Sequence, residues 1–196
     1  MPGSQALLLT PSAVRRLLKH VLTHSRYPAR DRVIVALSFR AGLRAAEIAG
    51  MRWRMVLDPY GKVADRLTVE DAIAKRRGGR IVPMHRELKA ALMALRTELD
   101  QPPERDAPIV TSERGGPMRA GSVVNLFAGW YAALGFEGCS SHSGRRTFVT
   151  TSARNLAKAG GSLRDVQLLA GHRQLATTER YIQGDTQAQR RLIALL

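Results

Sequence analysis

The chain has 196 residues, 44% of them apolar, and 31 basic against 16 acidic side chains give a formal net charge of +15. That length suits one ample domain or two small ones, with apolar content enough for a core. No run of about 18 apolar residues occurs, which excludes a membrane-spanning helix, and the excess charge selects a polyanion, nucleic acid first, as the partner. Five of the basic residues are lysine and the rest arginine, the better bidentate partner for phosphate. The single cysteine, Cys139, has no internal partner for a disulfide, and the N-terminus lacks a basic stretch ahead of its short apolar run. Both features suit a reducing cytoplasm, without a secretory leader.

Thr10-Pro11 reads as a helix N-cap followed by proline at the first helical position. Val14, Leu17, Leu18, Val21 and Leu22 follow at helical spacing. A second helix is predicted over about Ala29 to Ala41, with Val33, Ile34, Leu37 and Ser38 inward and Gly42 ending it, and a short helix, RAAEIAGM, comes directly after. From Met55 to Met84 the pattern turns β-like. RMVLD, RLTVEDAIA and RIVPM, separated by the turns PYG and RRGG, predict a three-stranded antiparallel sheet. Helices are then predicted at His85–Leu99, Arg119–Leu134, Ser143–Ala159, Leu163–Leu169 and Thr177–Ile182. The tail from Gln187 ends in an apolar cluster of Leu192, Ile193, Leu195 and Leu196. The fold class is mainly α with a small antiparallel β-sheet (α+β), and the organisation is one domain over residues 1–196.

Four local settings carry the chemistry: GLRAAEI around Arg44, IAKRRGGRIVPM around Lys75, HSGRRTF with His142 and Arg145, and LLAGHRQLATTERY with His172 and Tyr181. Breaking a phosphodiester without a metal needs a nucleophile, cations for the charged transition state, an acid for the leaving oxygen and a base for the nucleophile. Tyrosine, arginine, lysine and histidine side chains, all present in these settings, are residue types able to meet those demands. Other readings of single residues are weaker. Tyr27, Tyr60 and Tyr131 lack such a setting and read as packing. Cys139 with His142 lacks a second ligand pair for a metal, and His20 and His24 lack a third ligand, so they read as surface residues.

Together the four settings resemble the tyrosine recombinase (phage integrase) family, from about Leu9 to about Tyr181. The resemblance implies the catalytic-domain fold of that family and assigns the roles. Tyr181, nine residues after His172, is the nucleophile. Arg44 and Arg145 clamp the phosphate, with Glu47 as a brace, and Arg145 is chosen over Arg146 by its spacing from His142. His142 manages the proton of Tyr181, and His172 hydrogen-bonds a phosphate oxygen. Lys75, rather than Lys62, is the general acid. Arg76, Arg77, Arg80, Arg146 and Arg173 are expected DNA contacts. The implied function is a site-specific DNA recombinase or integrase that cleaves and rejoins strands through a 3′-phosphotyrosyl intermediate, with no metal, cofactor or ATP.

The implied partners are double-stranded DNA and further copies of the chain, as a dimer or tetramer on DNA, with room for an accessory DNA-binding protein and no role for a membrane. A topoisomerase of type IB, which shares the chemistry, and a non-catalytic DNA-binding regulator of the same fold stay open. Three departures from the family pattern stand out. Gly144 replaces a common leucine, so Arg145 must be held by other packing. A few extra residues lie between Arg145 and His172, and they are expected to lengthen a helix or its loop away from the site. The sequence begins where the family's catalytic domain usually begins, so the family's helical N-terminal domain is not expected within it, whether as a catalytic-only member, an excised fragment or a protein that relies on another. The resemblance suggests that residues 187–196 pack onto a neighbouring protomer, with folding back onto their own domain left open.

Overall fold

The computed structural model describes residues 6–74, 78–181 and 193–194. Its centre is helix α2 (Pro28–Arg40). Val33, Ile34, Val35, Leu37, Ser38 and Phe39 are all buried, so this helix is covered on every side and not only on the expected face. Helices α1 (Pro11–His24), α4 (Arg86–Thr97) and α6 (Ser143–Arg154) pack around it. Thr10 caps α1 as predicted, its hydroxyl accepting from Ala13 N at 3.3 Å with proline next in line. Val14, Leu17 and Val21 are buried, whereas Leu22 lies 47% exposed because α1 touches the core along a narrower stripe than its apolar spacing suggested. Of the three tyrosines read as packing, Tyr131 is buried in the core and Tyr60 is exposed on a turn.

Helix α3 (Ala45–Gly50) packs on α5 (Ala120–Leu134). Gly42, which ends α2, has φ +66°, and a Cβ there would lie 2.4 Å from the Phe148 ring. Left-handed backbone and the close approach of α6 both require glycine at that point. The turn swings Arg44 to the N-cap of α3 beside the N-terminal end of α6.

The sheet is smaller than predicted. Strands β1 (Arg66–Val69) and β2 (Arg80–Pro83) pair antiparallel, with Leu67 opposite Val82 and Val69 opposite Arg80. The expected first strand instead folds into a 3₁₀ turn at Trp53–Met55, and Leu57 makes only an isolated bridge to Val63. The amides of Val56 and Leu57 both donate to the Trp53 carbonyl at 3.0 Å, so they are spent locally and cannot pair with a neighbouring strand.

The predicted helix over Ser143–Ala159 is broken. α6 stops at Arg154, Asn155 sits at φ −93° and ψ 0°, and α7 (Leu156–Ala159) is a separate turn. The surplus residues before His172 thus form an exposed corner leading to α8 (Leu163–Ala170). The last helix, α9 (Leu175–Glu179), starts two residues earlier than predicted and ends before Tyr181. Val149, Val166 and Ala170 form a second small core under Tyr181. Of the apolar tail, Leu192, Leu195 and Leu196 lie outside the described residues, and Ile193 is exposed. Among the described residues, no helix is long and apolar enough to cross a membrane.

Candidate active site

The N-terminal ends of α3 and α6, the turn after α8, and α9 meet at one cleft of about 270 Å³. It is lined by Arg44, His142, Arg145, Arg146, His172 and Tyr181, together with Ala6, Thr177 and Arg180. Five of the six residues expected to do the chemistry therefore share one cavity. Lys75 lies outside the described residues, as do Arg76 and Arg77.

Arg145 is the most deeply set. Its Nη1 donates to the Gly42 carbonyl at 2.7 Å and its Nη2 to the Ala170 carbonyl at 2.6 Å. Two carbonyls from different parts of the chain thus fix the plane of the guanidinium and leave its other N–H groups for an anion. This is how Arg145 is held without a leucine at position 144. Gly144 lets α6 sit directly on α2, since a Cβ there would lie 2.1 Å from Ser38 Oγ and 3.0 Å from Phe39.

Burial, the charge of Arg44 and that of Arg80 lower the Arg145 pKa to about 10, with Glu47 opposing them. It stays charged at neutral pH, in a place that favours an incoming anion. Arg44 is more open. Its Nη1 donates to Glu47 Oε1 at 3.1 Å, and its backbone N–H donates to Glu47 Oε2 at 2.9 Å.

Glu47 is buried. Burial pushes its carboxyl toward the neutral form, but hydrogen bonds and charge from Arg80, the Arg44 amide and the charge of Arg145 outweigh that and hold it below the usual carboxylate range. It is a brace, as expected. Arg80 is placed differently from its expected role as a DNA contact. It is buried, donates from Nη1 and Nη2 to the two Glu47 oxygens at 3.0 Å each, and donates from Nε to the Leu169 carbonyl at 2.9 Å. Its donors are turned inward, so Arg80 braces Glu47 and does not line the cleft. The alternation of β2 carried the signal: if Val82 is inward, Arg80 is inward too.

His172 follows Gly171, the left-handed C-cap of α8. Its ring is buried, with Nδ1 2.9 Å from Thr178 Oγ1, and it stacks on Tyr181 at 5.5 Å between centroids and 20° between planes. Burial first, then the charges of Arg145, Arg44 and Arg80, push its pKa down to about 4, so it is neutral at pH 7. His142 is exposed at the N-terminal end of α6. Arg146 is half-buried with Nη1 donating to the Ala6 carbonyl at 2.7 Å, and Arg173 is exposed. Tyr181 is half-buried, its carbonyl accepting from Thr150 Oγ1 at 3.3 Å. Arg180, Thr177 and Thr178 belong to the site and were not singled out in the sequence. Their only advance signal was their place inside the LATTERY segment.

The phage integrase family profile matches residues 8–188. The chain belongs to the phage integrase family. It is 33% identical over 159 residues to tyrosine recombinase XerC of Methylobacterium nodulans, covering 81% of this chain and 46% of that one. It is 32% identical over 181 residues to XerC of Shewanella amazonensis, covering 91% of this chain and 57% of that one. The chain thus spans roughly half the length of the curated relatives it matches. Among solved structures, the Tn1549 transposon integrase in complex with circular intermediate DNA overlays all of this chain and 69% of its own, at TM-score 0.76 and 21% identity. XerA recombinase overlays with TM-score 0.73 at 22% identity, covering all of this chain and 65% of its own. At that identity these two overlays establish the fold.

Proposed function

We propose that this chain carries the catalytic centre of a site-specific DNA recombinase that cuts and rejoins double-stranded DNA through a 3′-phosphotyrosyl intermediate. One observation carries the reading. Arg44 and Arg80 are both hydrogen-bonded to a single carboxylate, Glu47, and Arg44 and Arg145 line the cleft in which Tyr181 stacks on His172. The cluster retains excess positive charge toward the cleft, and a phosphodiester supplies the missing anion.

In the step assigned here, Tyr181 Oη attacks phosphorus and the bond to the 5′ oxygen breaks. Arg44 and Arg145 stabilise the charge that builds on the nonbridging oxygens. His142 takes the tyrosine proton, and Lys75 gives a proton to the 5′ oxygen. The 5′-hydroxyl of a second strand then reverses the attack. Bond energy is kept in the phosphotyrosyl link, so the cycle needs no nucleotide. Arg76, Arg77, Arg146 and Arg173 are assigned to the DNA backbone, several copies assemble on two DNA sites, and the setting is the cytoplasm.

A nicked duplex, in which the short 5′ fragment diffuses away after cleavage, tests this. A covalent adduct that resists boiling in detergent, together with exchange between two sites, supports the proposal. Adduct formation with relaxation of supercoiled plasmid but no exchange would favour a topoisomerase. Sequence-selective binding with no adduct would favour a regulator.

A further inference from the structure

A neutral imidazole has one proton on one of two nitrogens, and the nitrogen that holds it decides whether the ring accepts or donates at its open side. At His172 the unpartnered nitrogen is Nε2, which is buried and has no hydrogen-bond partner among the described residues. The other nitrogen, Nδ1, faces Thr178 Oγ1 at 2.9 Å. Thr178 is fully buried, and among the described residues its hydroxyl makes this one hydrogen bond.

If Nδ1 held the proton, the hydroxyl hydrogen of Thr178 would have no acceptor among the described residues. If the hydroxyl donates to Nδ1, both groups are satisfied and the ring proton moves to Nε2. The second arrangement leaves one unmet partner, an Nε2–H in a cleft lined by Arg44 and Arg145. An entering anion meets it.

We propose that Thr178 is a positioning residue: by donating to Nδ1 it holds His172 as the Nε2–H tautomer, so that the ring is a hydrogen-bond donor to a bound anion and not a base for Tyr181. That the anion is the scissile phosphate rests on the recombinase reading. The Gln167 side chain, donating from Nε2 to the His172 carbonyl at 2.8 Å, and the stacking on Tyr181 hold the ring in this pose. The tyrosine's proton must then go elsewhere, which leaves it to His142.

Long-range proton–nitrogen NMR correlations on the full chain, labelled with ¹⁵N-histidine at pH 7.5, read the tautomer without DNA. The expected wild-type pattern has the proton on Nε2. Thr178→Val, which removes the hydroxyl at nearly constant volume, should shift His172 toward a mixture of tautomers, and Thr178→Ser should restore the pattern. A wild-type ring protonated on Nδ1 overturns the proposal whether or not the valine variant folds, as does a folded valine variant with an unchanged tautomer. On the nicked duplex, the valine variant should form adduct at least about tenfold more slowly at unchanged DNA affinity, as for loss of an aligned donor, and serine should recover it. An unchanged rate in the valine variant overturns the role at the phosphate. No adduct with the wild type would instead refute the recombinase reading and leave the tautomer result standing.

Discussion

Glu47 takes both terminal nitrogens of Arg80, one on each carboxylate oxygen at 3.0 Å, in a fork-to-fork pair with neither side chain more than 5% exposed. The same oxygens also receive Arg44. The pair thus joins strand β2, which bears Arg80, to α3, whose N-cap is Arg44, and through the Leu169 carbonyl it reaches α8 ahead of His172. Arg44 and Arg80, from distant stretches of chain, are thus tied together by one buried carboxylate.

Removing that carboxylate should be severe. Glu47→Gln would leave Arg44, Arg80 and Arg145 without their counter-charge, and unpairing a buried ion costs about 3–5 kcal/mol. Urea unfolding should show a loss of that size, with a comparable loss for Arg80→Ala. Arg44→Ala should cost much less, because that side chain is partly exposed. A surface-like response of Arg80→Ala, under about 0.5 kcal/mol, would contradict its assignment as a brace.

The contact between α2 and α6 gives a second expectation. Gly144→Ala forces a Cβ to within 2.9 Å of Ser38 Cβ and 3.0 Å of Phe39. Overpacking of this kind costs about 1–3 kcal/mol. Ser38→Gly removes the nearest neighbours, so in a double-mutant cycle the two changes should couple by about 1 kcal/mol or more. Simple additivity would mean that the helices do not meet there.

Acid should destabilise the free protein in two stages. The folded pKa of His172 lies near 4, below its ordinary value of 6.5, so the unfolded chain binds a proton that the folded one refuses. Stability is full above pH 6.5 and is lost as pH falls from there toward about 4, by roughly 3 kcal/mol at about 1.4 kcal/mol per unit. Glu47, also held low, adds a further loss as its carboxylate protonates below its ordinary value of 4.5. His172→Gln should flatten the first stage. A thermal unfolding series from pH 8 to pH 4 that is flat until pH 4.5 would contradict the burial of a neutral His172.

DNA affinity should fall steeply with salt. A net charge of +15 implies several phosphate contacts, and each contributes about 0.9 to the slope of log affinity against log salt. Arg173→Ala should lower that slope by about one contact, whereas Arg80→Ala, if folded, should leave it unchanged because its donors point inward. An equal effect from both would place Arg80 on the DNA face.

Much of this was legible in the sequence, for reasons that can be traced. Helix α1 announced itself through Thr10-Pro11 and its apolar spacing, both local signals. Arg44, His142, Arg145, His172 and Tyr181 could be named because short motifs hold them, although the geometry that joins them is not local. The three-stranded sheet failed because residues 54–58 have strand-like composition while the amides of Val56 and Leu57 are spent on the Trp53 carbonyl. Helix α6 was drawn too long because nothing at Asn155 breaks helical periodicity. Arg80 was misread because charge in a basic turn suggests solvent, while strand alternation, the weaker signal, pointed inward. Thr178 was invisible as a site residue, since its role depends on the ring that folds against it.

The central claim is that Tyr181, in the cationic cleft of Arg44 and Arg145, is the group that attacks DNA. Tyr181→Phe removes only the hydroxyl and keeps the ring that stacks on His172. Wild-type protein and the phenylalanine variant should be incubated with the same nicked duplex, with DNA affinity measured alongside. A detergent-stable adduct is expected for the wild type and none for the variant, with affinities within a few fold of each other. A persistent adduct in the Tyr181→Phe protein would contradict the claim.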